Sequence, residues 1–148
     1  MKYQAQFDEL RELIRASQRS EDAQSRVVIA LHKSFPHYNW VGIYRLDGKS
    51  LVLGPYQGKP TVHTSIPVGK GICGAAAASR KTEVVPDVEA DARYLACSLE
   101  TRSEIVVPII KNGAFWGEID IDSDRPNAFG PDDVEFLEAV ARLLPERL

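Results

Sequence analysis

Three carboxylates lie at one end of a predicted β-hairpin. Two apolar runs flank Lys111-Asn112-Gly113, and an Asn-Gly pair between such runs is the strongest short signal for a tight hairpin turn. The second run ends with Asp120 and Asp122, which point to the same face because side chains alternate along a strand. Glu104 opens the paired strand and can bring a third carboxylate near them. This pattern predicts a polar pocket, with the solvated face of a strand as the alternative.

The two cysteines are candidates for redox chemistry. Cys73 falls in the first turn of a helix predicted after Gly69-Lys70-Gly71, where the helix dipole lowers the pKa of a thiol; a small residue for close packing is the alternative. Cys97 falls in a long loop, residues 86–103, and such loops are usually functional or disordered. Residues 92–97 are apolar enough to fold inward as a lid. A thiolate can attack an electrophilic sulfur and become a sulfenic acid, with which a second thiol condenses.

Other chemistries fit the residue pattern less well. The cysteines and the three histidines show no metal-ligand spacing, so no metal site is predicted. Cysteine–histidine acyl transfer lacks a clear base beside Cys97, although folding can bring His63 near. The glycines at 69 and 71 can present backbone N–H groups to an anion, but the full phosphate-loop and dinucleotide patterns are absent from the sequence.

Trp40 and Tyr44 lie on one face of a strand predicted over 39–46, with Val41 and Ile43 on the other. The two rings form either an aromatic wall, which would cover a sulfur-bearing side chain, or part of the core. The nearby carboxylates can bind an ammonium group. One that its neighbours keep protonated can donate a proton to a departing oxygen. Composition and spacing together predict a small-molecule pocket with a thiol near it.

The whole chain has the composition of one globular domain, residues 1–148. Its net charge is −3 with both signs interspersed, which argues against nucleic-acid binding. No apolar run approaches the roughly 20 residues that span a bilayer, and the N-terminus has no signal-peptide pattern. We therefore expect a cytoplasmic protein that binds neither nucleic acid nor membrane.

The predicted elements follow the order α-α-β-β-β-α-β-β-β-α. A helix over 3–18 precedes one that Ser20 caps and Pro36 stops. Strands are predicted over 39–46, 51–53, 63–66 and 82–85, in addition to the 104–123 hairpin. A loop is predicted over 54–60. Two further helices are predicted over 72–80 and 132–144. Short loops and two tight hairpins favour an antiparallel sheet flanked by helices, an α+β fold.

Several separated strings resemble the free methionine-(R)-sulfoxide reductases, a GAF-domain enzyme family. The strings are residues 39–44 (Asn-Trp-Val-Gly-Ile-Tyr), 53–59 (Leu-Gly-Pro-Tyr-Gln-Gly-Lys), 66–74 (Ile-Pro-Val-Gly-Lys-Gly-Ile-Cys-Gly), 95–97 (Leu-Ala-Cys), 103–108 (Ser-Glu-Ile-Val-Val-Pro) and 119–123 (Ile-Asp-Ile-Asp-Ser). They span nearly the whole chain, about residues 7–144. The resemblance implies a six-stranded antiparallel GAF sheet with N-terminal, central and C-terminal helices, and a homodimer.

The resemblance also implies an activity, the reduction of free L-methionine-(R)-sulfoxide with electrons finally from thioredoxin and with no cofactor. Cys97 is the implied nucleophile, and Cys73 matches a second family cysteine. Glu104 and Asp122 are implied to protonate the sulfoxide oxygen or orient the substrate. The remaining implied substrate contacts are Asp120 at the amino group and Trp40 and Tyr44 at the methyl-sulfur end.

Two departures from the family pattern stand out. A further family cysteine, often the resolving thiol, is missing from residues 59–65, which include Val62 and His63. Cys73 or an external thiol must then resolve Cys97, and a disulfide needs Cα atoms within about 7 Å. Glu118 replaces a usually apolar residue and adds an acid that can raise neighbouring pKa values. The missing cysteine motivates the alternative function, a GAF module that senses methionine, its sulfoxide or a related ligand without turnover.

Overall fold

Six strands form one sheet in the order β3-β2-β1-β6-β5-β4, and every pairing is antiparallel in the computed structural model, which describes residues 1–96 and 99–148. The strands are β1 Trp40–Asp47, β2 Ser50–Gln57, β3 Ser65–Pro67, β4 Glu83–Val85, β5 Ser103–Lys111 and β6 Ala114–Ser123. The predicted α+β fold with a six-stranded antiparallel sheet is confirmed.

Helices cover both faces of this sheet. They are α1 Gln4–Ala16, α2 Ser20–Ser34, α3 Gly71–Ser79 and α4 Pro131–Leu143, with short 3₁₀ turns at Val88–Ala90 and Leu144–Arg147. The helices α1, α2 and α4 enclose one apolar core, and α3 covers a second one on the opposite face. Among the described residues, none of these helices has the length and apolarity that crossing a membrane requires.

Successive side chains of β1 and β6 point to opposite faces of the sheet, as predicted, and so belong to different cores. Val41, Ile43, Ile119 and Ile121 are fully buried against α1, α2 and α4. The residues between them face α3, which leaves this second face buried as well. The polar positions of β6 are therefore enclosed, and the solvated-strand interpretation of its carboxylates is wrong.

The predicted 104–123 hairpin forms around Asn112 and Gly113. Both residues have positive φ, 52° and 77°, as a tight turn of the mirror-image type requires. Lys111 pairs with Ala114 beside the turn, and Ser103 pairs with Ser123 at the far end. The carboxylates lie near that far end, away from the turn.

Two local predictions are wrong. Residues 54–57 continue β2 instead of forming a loop, because the strand takes in one extra residue as a bulge: Tyr44 pairs with Leu53, whereas Gly42 pairs with Tyr56. A bulge tolerates Gly54 and Pro55 within a strand. Ser20 is the first residue of α2 and does not cap it; its Oγ accepts a hydrogen bond from Gln24.

Candidate active site

The strands β5, β6 and β1 lie side by side and place the polar residues of the α3 face in three rows. The rows, read from β5 through β6 to β1, are Glu104–Asp122–Trp40, Val106–Asp120–Gly42 and Pro108–Glu118–Tyr44. Each acid is almost fully buried, with exposed fractions of 0–5%. The period-two alternation of β6 thus stacks three carboxylates along one line, with Glu104 beside the end of that line.

Cys73 places its thiol against the carboxylates from the side of the sheet that α3 covers. It lies in the first turn of α3 and is 4% exposed. Its Sγ donates a hydrogen bond to Asp120 Oδ2 at 3.2 Å. Ligand-forming atoms of Cys73, Glu104 and Asp120 all lie within 4.8 Å of one another. Sequence-local spacing does not predict this meeting because the three groups come from α3, β5 and β6.

The buried environment holds protons on the cluster. Burial raises the pKa of Asp120, and burial and the charge of Asp120 raise the pKa of Asp122 well above its usual range. A hydrogen bond with Glu104 lowers both values in part. Two carboxyl groups can share a hydrogen bond only when one is protonated. Burial therefore favours a Glu104–Asp122 pair that shares one proton over a pair with two charges.

The structure reverses one prediction about Cys73. The helix dipole was expected to lower the pKa of its thiol. Burial raises that pKa well above the usual value, and the charges of Asp120, Glu118 and Glu104 raise it further. Desolvation and three nearby acids outweigh the N-terminus of a nine-residue helix. Cys73 is therefore a thiol at rest and a weak nucleophile until its surroundings change.

The two predicted aromatic residues lie 6.5 Å apart between ring centroids and both belong to the core beneath α3. Trp40 stacks on Tyr56 at 5.7 Å, and its Nε1 donates to the carbonyl of Lys59 at 3.0 Å. Tyr44 donates its hydroxyl to the carbonyl of His63 at 2.7 Å. Trp40 and Tyr44 therefore pack in the core and form an aromatic wall at the same time, so the two predicted alternatives do not exclude each other.

Two cavities meet the acid cluster. The outer cavity has a volume of about 310 Å³, and its lining includes Trp40, Lys59 and Asp122, a size at the lower end of small-molecule sites. The inner cavity has a volume of only about 10 Å³, and Glu104 and Asp120 line it. That volume is close to the minimum for one water molecule. Glu104 of the inner cavity and Asp122 of the outer cavity lie opposite each other on β5 and β6.

A covering segment, residues 94–96, lies beside the inner cavity, and its Leu95 lines that cavity. Leu95 lies over the start of α3 so closely that a Cβ at Gly71 would be 2.8 Å from its Cδ1. His63 Nε2 and the carbonyl oxygen of Ala96 are 3.0 Å apart, so this nitrogen carries the hydrogen. Leu95 also packs against the core beneath α3. Of the predicted lid over residues 92–97, Leu95 packs inward, whereas residues 92, 93 and 96 are exposed. The lid as a whole stays a prediction.

The structure brings together six of the seven predicted site residues. They are Trp40, Tyr44, Cys73, Glu104, Asp120 and Asp122. The seventh, Cys97, lies outside the described residues, so the structure gives no Cys73–Cys97 distance. The Gly69–Gly71 turn does not aim its amides outward, since Gly69 and Lys70 donate theirs to the carbonyls of Gly74 and Pro67.

Sequence reasoning missed three contributors to the site. Gly42 provides the space beneath Trp40, since a Cβ there would lie 2.4 Å from Trp40 Cη2; a glycine inside a predicted strand was the available signal. Lys59 and Glu100 form an ion pair at the outer cavity. They come from separate loops, and nothing in their local sequence predicts that pairing.

The comparisons with known proteins agree with this geometry. A family profile described as "GAF domain" matches residues 20–146. The free methionine-R-sulfoxide reductase of Saccharomyces cerevisiae is 46% identical over 110 residues, which cover 72% of this chain and 61% of the yeast protein. The free methionine-R-sulfoxide reductase of Escherichia coli is 38% identical over 114 residues, which cover 76% of this chain and 68% of that protein.

A solved structure extends the likeness to almost the whole chain. The free methionine-R-sulfoxide reductase of Neisseria meningitidis, in complex with its substrate, superposes with a TM-score of 0.94 at 34% identity, covering 98% of this chain and 87% of that one. The fold, the buried acid–thiol cluster and relatives at this identity lead to one conclusion. The chain belongs to the free methionine-R-sulfoxide reductases, a family built on the GAF domain.

Proposed function

We propose that this chain reduces free L-methionine-(R)-sulfoxide to methionine through a cysteine thiol. The observation that carries the proposal is the buried cluster of Glu104, Asp120 and Asp122 under Cys73, in a chain of this family. Neutral side chains would suit a purely apolar ligand better. Enclosed acids suit a substrate with an ammonium group and an oxygen that must be protonated.

Cys97 is the nucleophile in this proposal. Its thiolate attacks the sulfoxide sulfur and forms a sulfur–sulfur bond, while the sulfoxide oxygen takes up a proton. The hydroxyl then passes to the cysteine sulfur and methionine departs. The cysteine becomes a sulfenic acid, so it is oxidised by two electrons and the sulfoxide is reduced by two.

The Glu104–Asp122 pair supplies the proton in this scheme. Burial raises the pKa of Asp122 well above its usual range, which favours the protonated form that general acid catalysis requires. Asp122 lines the outer cavity and Glu104 the inner one. A sulfoxide oxygen at that boundary lies within reach of both groups.

The remaining site residues hold the substrate. Asp120 offers a carboxylate to the ammonium group, and its Oδ1 has no hydrogen-bond partner within the described part of the chain. Trp40 and Tyr44 cover the methyl-sulfur end. Lys59 lies at the rim of the outer cavity, where a cation suits the carboxylate of a free amino acid. Recognition of both backbone charges would restrict the enzyme to free methionine sulfoxide.

Recycling requires a second thiol. In the proposal Cys73 condenses with the Cys97 sulfenic acid, releasing water and forming a disulfide, which thioredoxin reduces. The Cys73 thiol is buried beside the cavity that Leu95 also lines, and its pKa is raised, so in this proposal it becomes reactive when Leu95 moves aside. An external thiol can otherwise take this role. The homodimer and the cytoplasmic location stay predictions, and light scattering on the purified chain tests the first.

Methionine release tests the activity. The purified chain is given free methionine-(R)-sulfoxide or its S epimer, with excess dithiothreitol, and methionine is measured by chromatography. We expect release from the R epimer and its loss, by at least a thousandfold, in Cys97→Ser. Absence of release from either epimer, with the chain folded and its thiols reduced, contradicts the proposal and leaves the non-catalytic sensor.

A second variant separates catalysis from recycling. Cys73→Ser should still release one equivalent of methionine per chain without reductant, because the first step needs only Cys97. Its multiple-turnover rate with thioredoxin should fall at least tenfold. An unchanged thioredoxin-dependent rate would exclude Cys73 as the resolving thiol.

A further inference from the structure

We propose that Cys73, Glu104 and Asp120 also form a binding site for a thiophilic divalent cation, Zn²⁺, in the reduced chain. One sulfur and two carboxylate groups converge there from three separate elements. We predicted no metal site because the sequence shows no metal-ligand spacing. A site whose ligands come from three separate elements has no such spacing. The binding itself does not depend on the proposed activity.

The Cys73–Asp120 distance is close to that of a zinc coordination shell, and Glu104 is near enough to join it. Zn–S bonds of about 2.3 Å and Zn–O bonds of about 2.0–2.2 Å at tetrahedral angles put neighbouring ligand atoms roughly 3.3–3.6 Å apart. Cys73 Sγ and Asp120 Oδ2 are already 3.2 Å apart, and all three ligand atoms lie within 4.8 Å. Small rotations of the Glu104 side chain complete the triangle.

Unpaired oxygen atoms at the cluster provide the second observation. Asp120 Oδ1 and both oxygens of Glu118 are buried with no hydrogen-bond partner in residues 1–96 and 99–148. Glu118 is completely buried and lies two residues from Asp120 on the same strand face. A buried polar oxygen without a partner is costly whether or not the acid is charged, and a cation at the cluster would give these oxygens a partner.

The size and chemistry of the site favour zinc over other common cations. The inner cavity of about 10 Å³ has room for one small ion but not for the six to eight oxygen ligands of Ca²⁺. A thiolate ligand selects Zn²⁺ over Mg²⁺. On binding, the Cys73 proton is released to solvent, and the sulfur–zinc bond replaces the hydrogen bond to Asp120.

Occupancy would inhibit the enzyme, and this consequence rests on the proposed function. Zinc at the cluster blocks the Cys73 thiol and neutralises the acids that protonate and bind the substrate. Oxidation of Cys73 removes a ligand and releases the ion. The site is then a reversible brake that is set by free zinc and released by oxidants.

Metal titration without substrate tests the site directly. The reduced, untagged chain is titrated with Zn²⁺ by calorimetry and, separately, with Co²⁺ while absorbance is recorded. We expect one ion per chain and a thiolate-to-cobalt charge-transfer band in the near ultraviolet, both retained in Cys97→Ser. Cys73→Ser should weaken zinc binding at least a hundredfold and abolish the band. Glu118→Gln should weaken binding about tenfold, as neighbours of metal ligands commonly do.

Matched controls make the result decisive. Asp120→Asn keeps the side-chain shape and should lower zinc affinity, whereas Asp124→Asn, which changes an exposed acid next to the outer cavity, should not. Absence of binding below millimolar Zn²⁺, or equal binding in Asp120→Asn and Asp124→Asn, overturns the proposal. A cobalt complex without the thiolate band also overturns the proposal. This measurement uses the unmodified chain, so a folding defect in a variant cannot produce that result.

Discussion

The carboxylate of Glu118 is fully buried beneath α3, and neither oxygen has a hydrogen-bond partner in the described part of the chain. Burial and the nearby charge of Asp120 raise its pKa well above 4.5. A protonated, neutral carboxylic acid is therefore the form that the folded chain prefers. Protonation removes the charge from this buried position.

Glu118→Gln tests this with a pH-dependent stability measurement. The folded chain keeps this proton over a pH range, beginning near 4.5, in which the unfolded chain has lost it. Stability therefore falls as the pH rises through that range. Glutamine removes this contribution, so the unfolding free energy should fall less between pH 5 and pH 8 in the variant than in the wild-type chain.

Urea unfolding at the two pH values, with a chelator present, gives the comparison. Glu135→Gln is the matched control, since Glu135 is exposed on α4 and should leave the pH dependence unchanged. Equal pH dependence in Glu118→Gln and the wild-type chain would show that Glu118 is ionised when folded. Asp120 and Asp122, whose pKa values burial also raises, keep some pH dependence in every variant.

At the scale of elements, two glycines allow β1 and β6 to carry the site. A Cβ at Gly117 would lie 2.2 Å from the backbone oxygen of Tyr44, whereas one at Gly42 would meet the Trp40 ring at 2.4 Å. Backbone atoms in the middle of a sheet cannot move aside, but an aromatic side chain can. Gly117 therefore maintains the strand pairing, and Gly42 maintains the position of Trp40.

Alanine at each glycine should separate these roles. Gly117→Ala should lower the unfolding free energy by roughly 3 kcal/mol or more, since one strand must shift. Gly42→Ala should cost less, about 1–3 kcal/mol, and should raise KM and change Trp40 fluorescence. Gly130→Ala, with no neighbour closer than 4.0 Å, is the control. A Gly42→Ala chain with wild-type fluorescence and KM would show that the indole does not shape the site.

Alternation predicts most of the sheet from sequence because it depends only on local geometry. It assigns Trp40 and Tyr44 to one face, Ile119 and Ile121 to the other, and Asp120 beside Asp122, and the structure agrees. The β2 bulge was missed because strand pairing overrides the turn preferences of Gly and Pro. A bulge is visible only once the partner strand is known.

The site depended on more than local pattern. Period-two spacing predicts the carboxylates, but the approach of Cys73 to Asp120 comes from packing α3 on the sheet, which no spacing in the sequence encodes. The direction of the Cys73 pKa shift was wrong for the same reason, since it depends on burial and on acids from other elements. The family resemblance supplied the set of residues, and the structure supplied their electrostatics.

At the scale of the whole molecule, the two faces of the sheet have different tasks. The face under α1, α2 and α4 is apolar and large, and its burial stabilises the fold against the cost of the buried acids on the other face. The α3 face carries the thiol, the acids and both site cavities. Leu95, in the covering segment, lines the same inner cavity as the Cys73 thiol.

Movement of that segment should control the reactivity of Cys73. Leu95→Ala removes the side chain that lies on Gly71, opens the inner cavity to water and lessens the burial that raises the thiol pKa. In a Cys97→Ser background, where Cys73 is the remaining cysteine, its labelling by a maleimide at fixed pH should become roughly tenfold faster. The matched control is Leu99→Ala, because Leu99 follows in the same loop but is 98% exposed. If both alanine variants label at the wild-type rate, Leu95 does not gate Cys73, and the recycling step must expose the thiol through a motion of α3 itself.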